Sequence, residues 1–443
     1  MTTDKGVPSL PLGRRRHRKN LTLLTASTAM DNAESSVVTV LFPLMREAMG
    51  LTSSALGTIV AVGKVVGVVS GIPWVLLARR YPRKVVLATC SGFWGIWVIA
   101  AGLTTSFTQF VFLYAIAAAG FAGAGPIALE ILGDIYGDSR RGGATGLLYG
   151  GVALIAGVSA PIFGLLSGSA DGWRYGYMAS GTLCLVVGLL ILLLLDDPAP
   201  AANSTRPPLD AIQRRARSLR GGLRELLPTG TYRLILVQRL CSGQNVIMSF
   251  GVVFLVEERG FSTATATASI VALPFALGYL AGTVLGGRVN DRVHRLRPRS
   301  GRIVMLQSSQ LAFAAVASLT TQVAWGGGIA VYAALFALLG LLQGQVPVVN
   351  RPLIMAVVRP ELRALAFAVS VTTVEALAYA GYALLVGHLG DAVGLQKALL
   401  AVTVLLTTAN GLASAALYRP YARDRIDIAE PRTSSLGPRP PAR

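Results

Sequence analysis

The sequence is short of charge. Asp, Glu, Lys and Arg together make up 14% of its 443 residues, against 53% hydrophobic, and the mean hydropathy is +0.58. A soluble globular chain carries about 25% charged residues, so this balance excludes one and points to a membrane protein. Acids are the scarcer sign, 21 against 40 Lys and Arg, which leaves a formal net charge of +19. Aromatics reach only 7%, and the basic residues come in short clusters between long apolar runs. No aromatic-rich basic domain is there to grip a polyanion, so nucleic acid is excluded as a partner. Cysteine and histidine number three each. Cys90, Cys184 and Cys241 lie in apolar runs without CxxC spacing, which excludes a disulfide framework or a metal site and reads them as small buried residues. Gly63 and Lys64 are followed by Val65, so the one approach to GxxxxGK[ST] is no P-loop and ATP does not drive the protein through one. His388, near the end of an apolar run, has no buried Ser nucleophile beside it, so no enzyme and no cofactor are expected.

Long apolar runs are what the sequence does have. A helix needs about 20 mostly apolar residues to cross the hydrocarbon core. That length fits helices near 21–45, 54–78, 84–104, 109–132, 142–167 and 174–196, then near 233–256, 264–288, 302–321, 326–352, 364–389 and 394–417. The fold class is therefore all-α, with twelve transmembrane helices in two six-helix bundles, 21–196 and 233–417. A basic N-terminus (1–20), a Pro- and Arg-rich linker (197–232) with one surface helix around 208–226, and a disordered tail (418–443) complete the chain. The Arg-rich start followed by apolar residues imitates a signal peptide, but the apolar stretch is too long and carries two acids. Loop Lys and Arg gather on the side of the termini, the opposite loops holding only Arg46, Arg174, Arg259 and Lys397. Positive loops stay inside, so both termini are expected in the cytoplasm.

The loop after the eighth span reads GGRVNDRVHRLRPRSGR, in which Gly287, Asp291 and Arg292 match the Gly-x-x-x-Asp-Arg core of the loop motif of the major facilitator superfamily. With the six-plus-six layout, the chain resembles that superfamily along nearly its whole length. The equivalent loop after the second span, VLLARRYPRK, keeps Arg80, Arg83 and Lys84 but has Val75, Arg79 and Pro82 where the motif has Gly, Asp and Gly. Gly157, Pro161 and Gly164 loosely resemble the antiporter motif of drug exporters. YPRK, GDIYGDSRRGGATG, DGWRYG and RPELRALA look spinster-like, although Asp31-Asn32 replaces that branch's Asp-Arg and Phe121 follows Gly120 where its helix 4 acid motif begins. The resemblance implies pseudo-symmetric halves and alternating access around a central cavity lined chiefly by helices 1, 4, 7 and 10. It also implies a cytoplasmic latch on Asp291 and Arg292, with Asp134 and Arg140 or Arg141 in the loop network and the latch missing where Arg79 stands.

A few polar residues lie inside the spans. Ser27, Asp31, Glu34 and Ser35 share one face of the first helix. An ionised carboxylate at that depth costs at least about 2.5 kcal/mol, so Asp31 and Glu34 face water, a cation or a proton. Their plainer role is a structural ion pair; the functional one is proton coupling or substrate contact. Lys64 lies at similar depth in the second span and Glu375 in the eleventh, and Lys64 is expected to pair with Glu375 across the bundle interface or else with Asp31. Glu130 is deep enough to join the cavity. Gln238, Arg239, Asn245, Gln343 and Tyr379 are candidate substrate contacts, although each amide can equally bridge helices. The expected activity is proton-coupled secondary transport of a small organic or amphipathic, lipid-like or drug-like molecule, with export slightly ahead. The runners-up are an organic-anion/proton uptake symporter, with Lys64 and Arg239 as the anion's partners, and a non-transporting sensor. The expected partners are the substrate, H⁺ and membrane lipids, and the expected state is a monomer.

Overall fold

The computed structural model describes residues 14–136, 138–196, 221–263, 270–326, 328–359 and 362–425, with backbone alone for 14–15, 31–36, 138–143, 153 and 364. Twelve long helices run through it: α1 Arg14–Met49, α2 Ser53–Arg80, α3 Arg83–Gly102, α4 Phe107–Ile135, α5 Asp138–Leu165 and α6 Gly172–Leu194. The second set is α7 Gly230–Arg259, α8 Ile270–Leu296, α9 Gly301–Gln322, α10 Gly328–Val357, α11 Leu365–Val393 and α12 Leu395–Asp424. All but α1 pass on length and apolarity as membrane spans, and α1 opens on the cluster Arg14 to Lys19 before turning apolar. Within the region expected to hold a linker helix, 221–226 is helical, and 197–220 lies outside the described residues.

Lipid-soluble helices cannot rely on the hydrophobic effect to find each other, so close backbone approach at small residues holds them together. On α8 and α10 that approach is reciprocal. A Cβ on Gly278 or Gly282 would run into the carbonyls of Ala337 and Leu341, and one on Gly340 or Gly344 into those of Phe275 and Tyr279. Gly92 of α3 meets Gly188 of α6 in the same way. Trp94 lies on Gly120 and donates its indole N–H to the Ile116 carbonyl at 2.5 Å, so it packs α3 onto α4. The far ends of α3 and α9 are capped alike. Arg174 donates to the Gly102 and Thr104 carbonyls at 3.0 and 2.7 Å, and Arg259 to the Thr321 carbonyl at 2.7 Å, each satisfying helix-end acceptors.

Two irregularities set up the interior. The α7 helix breaks after Leu240, passes through a short 3₁₀ turn at Gly243–Asn245 and resumes at Val246. Opposite it, α11 widens into a π-helical stretch, Ala368–Glu375, before returning to α geometry. Such insertions rotate the following side chains out of the regular 3.6-residue register.

Candidate functional site

A cavity of about 1400 Å³ lies between the two halves of the chain. Its walls come from α1, α2, α4, α5, α7, α8, α10 and α11, twice as many helices as the four the sequence resemblance implied. The surface is mostly apolar, with polar points from Tyr114, Tyr149, Ser249, Tyr279, Thr372 and Tyr379. Among the described residues, the charged side chains that line it are Lys64 of α2 and Arg351 of α10, both cationic. The Lys64 ammonium lies over the Tyr379 ring, 5.1 Å from its centroid, and the Tyr379 hydroxyl is 2.6 Å from Ser249 Oγ. A ring face attracts a cation and holds the ammonium in place without neutralising it.

The Glu375 carboxylate has a different partner from the one the sequence suggested. Its ion pair is with Arg239, Nη1 to Oε2 at 2.7 Å, rather than with Lys64. Arg239 lies in the last turn of the first segment of α7, facing the π-helical stretch of α11 within the same half. Asn245, just past the break, donates to Glu375 Oε1 at 3.3 Å and accepts from Gln343 Nε2 at 2.7 Å. Arg239, Glu375, Asn245 and Gln343 thus form one hydrogen-bonded chain tying α7, α11 and α10. Gln238 also bridges helices: its side chain accepts from Asn350 at 3.4 Å and its carbonyl from Asn410 at 3.0 Å. Of the five candidate substrate contacts, Tyr379 reaches the cavity, and the other four serve as interhelical glue.

Glu130 is likewise not a cavity residue. Its carboxylate is 41% exposed and lies 3.5 Å from Arg83, which also holds Asp134 at 2.5 Å. The partner of Asp134 is therefore the buried Arg83 at the start of α3, and the Arg140 and Arg141 side chains lie outside the described residues. Asp291 and Arg292 are exposed. The Asp31 and Glu34 side chains also lie outside the described residues, as does any pairing of Lys64 with them.

The end of the molecule at which α1 stops and α12 starts is closed by contacts that sequence reasoning did not find. Arg46 at the end of α1 forms an ion pair with Glu257 at the end of α7. Asp391, near the end of α11, accepts the backbone N–H of Ser53 at 2.6 Å and of Ser54 at 3.0 Å. Thr52 gives the α2 N-terminus no side-chain cap, so a carboxylate from the other half of the chain satisfies the orphan donors and the positive end of the helix dipole. Beside it, Gly57 and Gly387 let the α2 and α11 backbones touch. At its other end the cavity reaches Thr145 and Met355, so it approaches the side on which α1 begins and α12 ends. Replacing Asp391 with Ala is expected to cost the closed end about 1 kcal/mol, roughly a fivefold shift in the balance of facing states. Cysteine probes placed at that end should label faster in the variant, and unchanged labelling would contradict the latch.

A family model for the Major Facilitator Superfamily matches residues 24–375. Among curated proteins, the chain is 27% identical over 281 residues to a probable sulfoacetate transporter, SauU, of Cupriavidus necator, covering 62% of this chain and 64% of that one. It is 24% identical over 282 residues to the 3-(3-hydroxy-phenyl)propionate transporter of Escherichia coli, covering 61% and 64%. It is 29% identical over 279 residues to a chloramphenicol resistance protein of Streptomyces lividans, covering 61% and 66%. The chain thus spans just under two thirds of the length of each of these relatives. Among solved structures, a bacterial homolog to the human lysosomal transporter Spinster, inward-facing and unoccupied, superposes with a TM-score of 0.79 at 18% identity, covering 94% of this chain and 100% of that one. A D-xylose-proton symporter gives 0.69 at 16%, covering 91% and 97%.

Proposed function

Because the chain belongs to the Major Facilitator Superfamily and is an integral, multi-pass membrane protein, we propose that it is a secondary transporter that carries a small organic anion together with H⁺, with both termini in the cytoplasm. The observation that carries this reading is the charge of the central cavity. Lys64 and Arg351 line it, while Glu375, the mid-span acid of α11, is neutralised by Arg239 outside it. A carboxylate or sulfonate would find two cations from opposite halves of the chain, with tyrosine faces and hydroxyls around its apolar body. The relatives named for sulfoacetate and for a hydroxyphenylpropionate suit such cargo. Export of a drug-like compound is the second reading, supported by the volume and apolar surface of the cavity and by the chloramphenicol resistance relative.

Asp31 and Glu34 are the proposed proton carriers. They sit seven and four positions before Val38, which lines the cavity, and that spacing puts all three on one helix face. A bound anion nearby raises a carboxylate's affinity for a proton, and a neutralised carboxylate repels an anion less, so each ligand favours the other. That reciprocity is the basis of symport. In vesicles carrying a pH gradient, uptake of a small organic acid should accumulate in the wild type and fall to simple equilibration in Asp31→Asn or Glu34→Gln. Full gradient-driven accumulation in both variants would remove the acids from the coupling.

A further inference from the structure

On the face where α1 begins and α12 ends, away from the central cavity, the loop between α8 and α9 and the end of α12 enclose a second pocket of about 610 Å³. Among the described residues, four of the seven that line it are arginines, Arg297, Arg299, Arg423 and Arg425, and the others are Pro298, Ser300 and Ala422. We infer that this pocket binds a phosphoryl group, supplied in the membrane by the headgroup of an anionic phospholipid.

Three observations support the assignment. The acid of α12 beside the pocket is already committed: Asp424 accepts from the backbone N–H of Thr231 at 2.8 Å and from its hydroxyl at 3.0 Å, and from Arg423 Nε at 3.1 Å. Arg425 donates to the Pro298 carbonyl at 3.1 Å, which holds the α12 end against the loop. Arg297 and Arg299 have no acceptor among the described residues, so the pocket presents planar donors whose fork geometry suits phosphate oxygens.

The second observation is position. Along α12 the exposed residues Leu405, Leu412, Ala416, Arg419 and Arg423 recur at helical spacing and so form one stripe. It is apolar for its first three members and then turns to arginine. The residue before Arg297 is Leu296, 75% exposed. The pocket therefore sits where an apolar, acyl-facing surface gives way to cations, the boundary at which a phospholipid headgroup lies.

The third is sign. Basic pockets beside membrane helices on the cytoplasmic face recognise anionic headgroups, each nearby Lys or Arg contributing about 1 kcal/mol. The inference does not depend on the cargo of the central cavity.

The test uses the full-length purified protein, with bound lipid read by native mass spectrometry during titration with phosphatidylglycerol or phosphatidylcholine. Phosphatidylglycerol should bind selectively, and the Arg297→Gln/Arg299→Gln variant should bind it about tenfold or more weakly. Arg79→Gln/Arg80→Gln, which removes equal charge from another loop of the same face, should leave it unchanged. Equal weakening in both variants would reduce the effect to overall charge and overturn the site, as would phosphatidylcholine binding as well as phosphatidylglycerol. Inorganic phosphate is titrated separately. Protection by it that is lost only in the Arg297→Gln/Arg299→Gln variant supports the phosphoryl site with a soluble anion as its source; no protection alongside selective lipid binding assigns it to the lipid.

Discussion

Glu375→Gln made alone is expected to destabilise the protein by about 3 kcal/mol, and Arg239→Met by a similar amount, while the double variant loses much less than the sum. The reason is burial. The Arg239 side chain is 5% exposed and Glu375 23%, so removing one leaves the other charged in a poorly solvated place. Asn245 and Gln343 extend the pair across three helices, so a stranded Glu375 would also disturb α10. A double-mutant cycle by equilibrium unfolding in mixed micelles measures the coupling, and strict additivity would contradict the pair. The same cycle run on Lys64→Met with Glu375→Gln should give near additivity, because Lys64 rests on Tyr379 instead.

Neutralising the cavity cations should produce the largest loss of function. Lys64→Gln or Arg351→Gln removes one charge-assisted contact from a bound anion. Such a contact stabilises by about 1.5–3 kcal/mol, so each variant should weaken anion binding about tenfold to a hundredfold. Both residues line a water-accessible cavity, so folding should be spared and the melting temperature without ligand should stay close to the wild type. Calorimetric titration separates this from a structural defect. An unchanged Kd in both variants would place the anion elsewhere.

The spans were legible in the sequence because apolar runs of membrane-crossing length stand between charged loops, and the structure moves most of their ends by a few residues; α1 starts earlier, at Arg14, α8 runs on to Leu296, and α12 runs on to Asp424, into the stretch read as a disordered tail. The side-chain pairs were not legible to the same degree. Glu375 was found as a mid-span acid, but its partner depends on the break in α7 and the π-helical stretch of α11, and neither irregularity follows from 3.6-residue periodicity. Gln238 and Asn245 of α7 and Gln343 of α10 read as cavity walls on regular helices, whereas the break in α7 places Asn245 between Glu375 and Gln343 and packing places Gln238 against Asn350. Arg351 was visible as a cation inside a span, and that signal alone could have marked it for the cavity. Asp391 gave no local signal, because the helix it caps begins 338 positions away in sequence. Arg83 was visible as part of the YPRK loop, but only packing shows it nearly buried between Glu130 and Asp134.

The central claim, that the cavity selects organic anions, is tested most directly by a pair of ligands with one shape and opposite charge. Purified protein is melted with increasing 3-phenylpropionate and, separately, 3-phenylpropylamine. A ligand at about 100 times its Kd adds about 2.7 kcal/mol of stability. The account predicts that the carboxylate raises the melting temperature, that the amine does not, and that Lys64→Gln/Arg351→Gln abolishes the rise. Stabilisation by the amine and not by the carboxylate would contradict it.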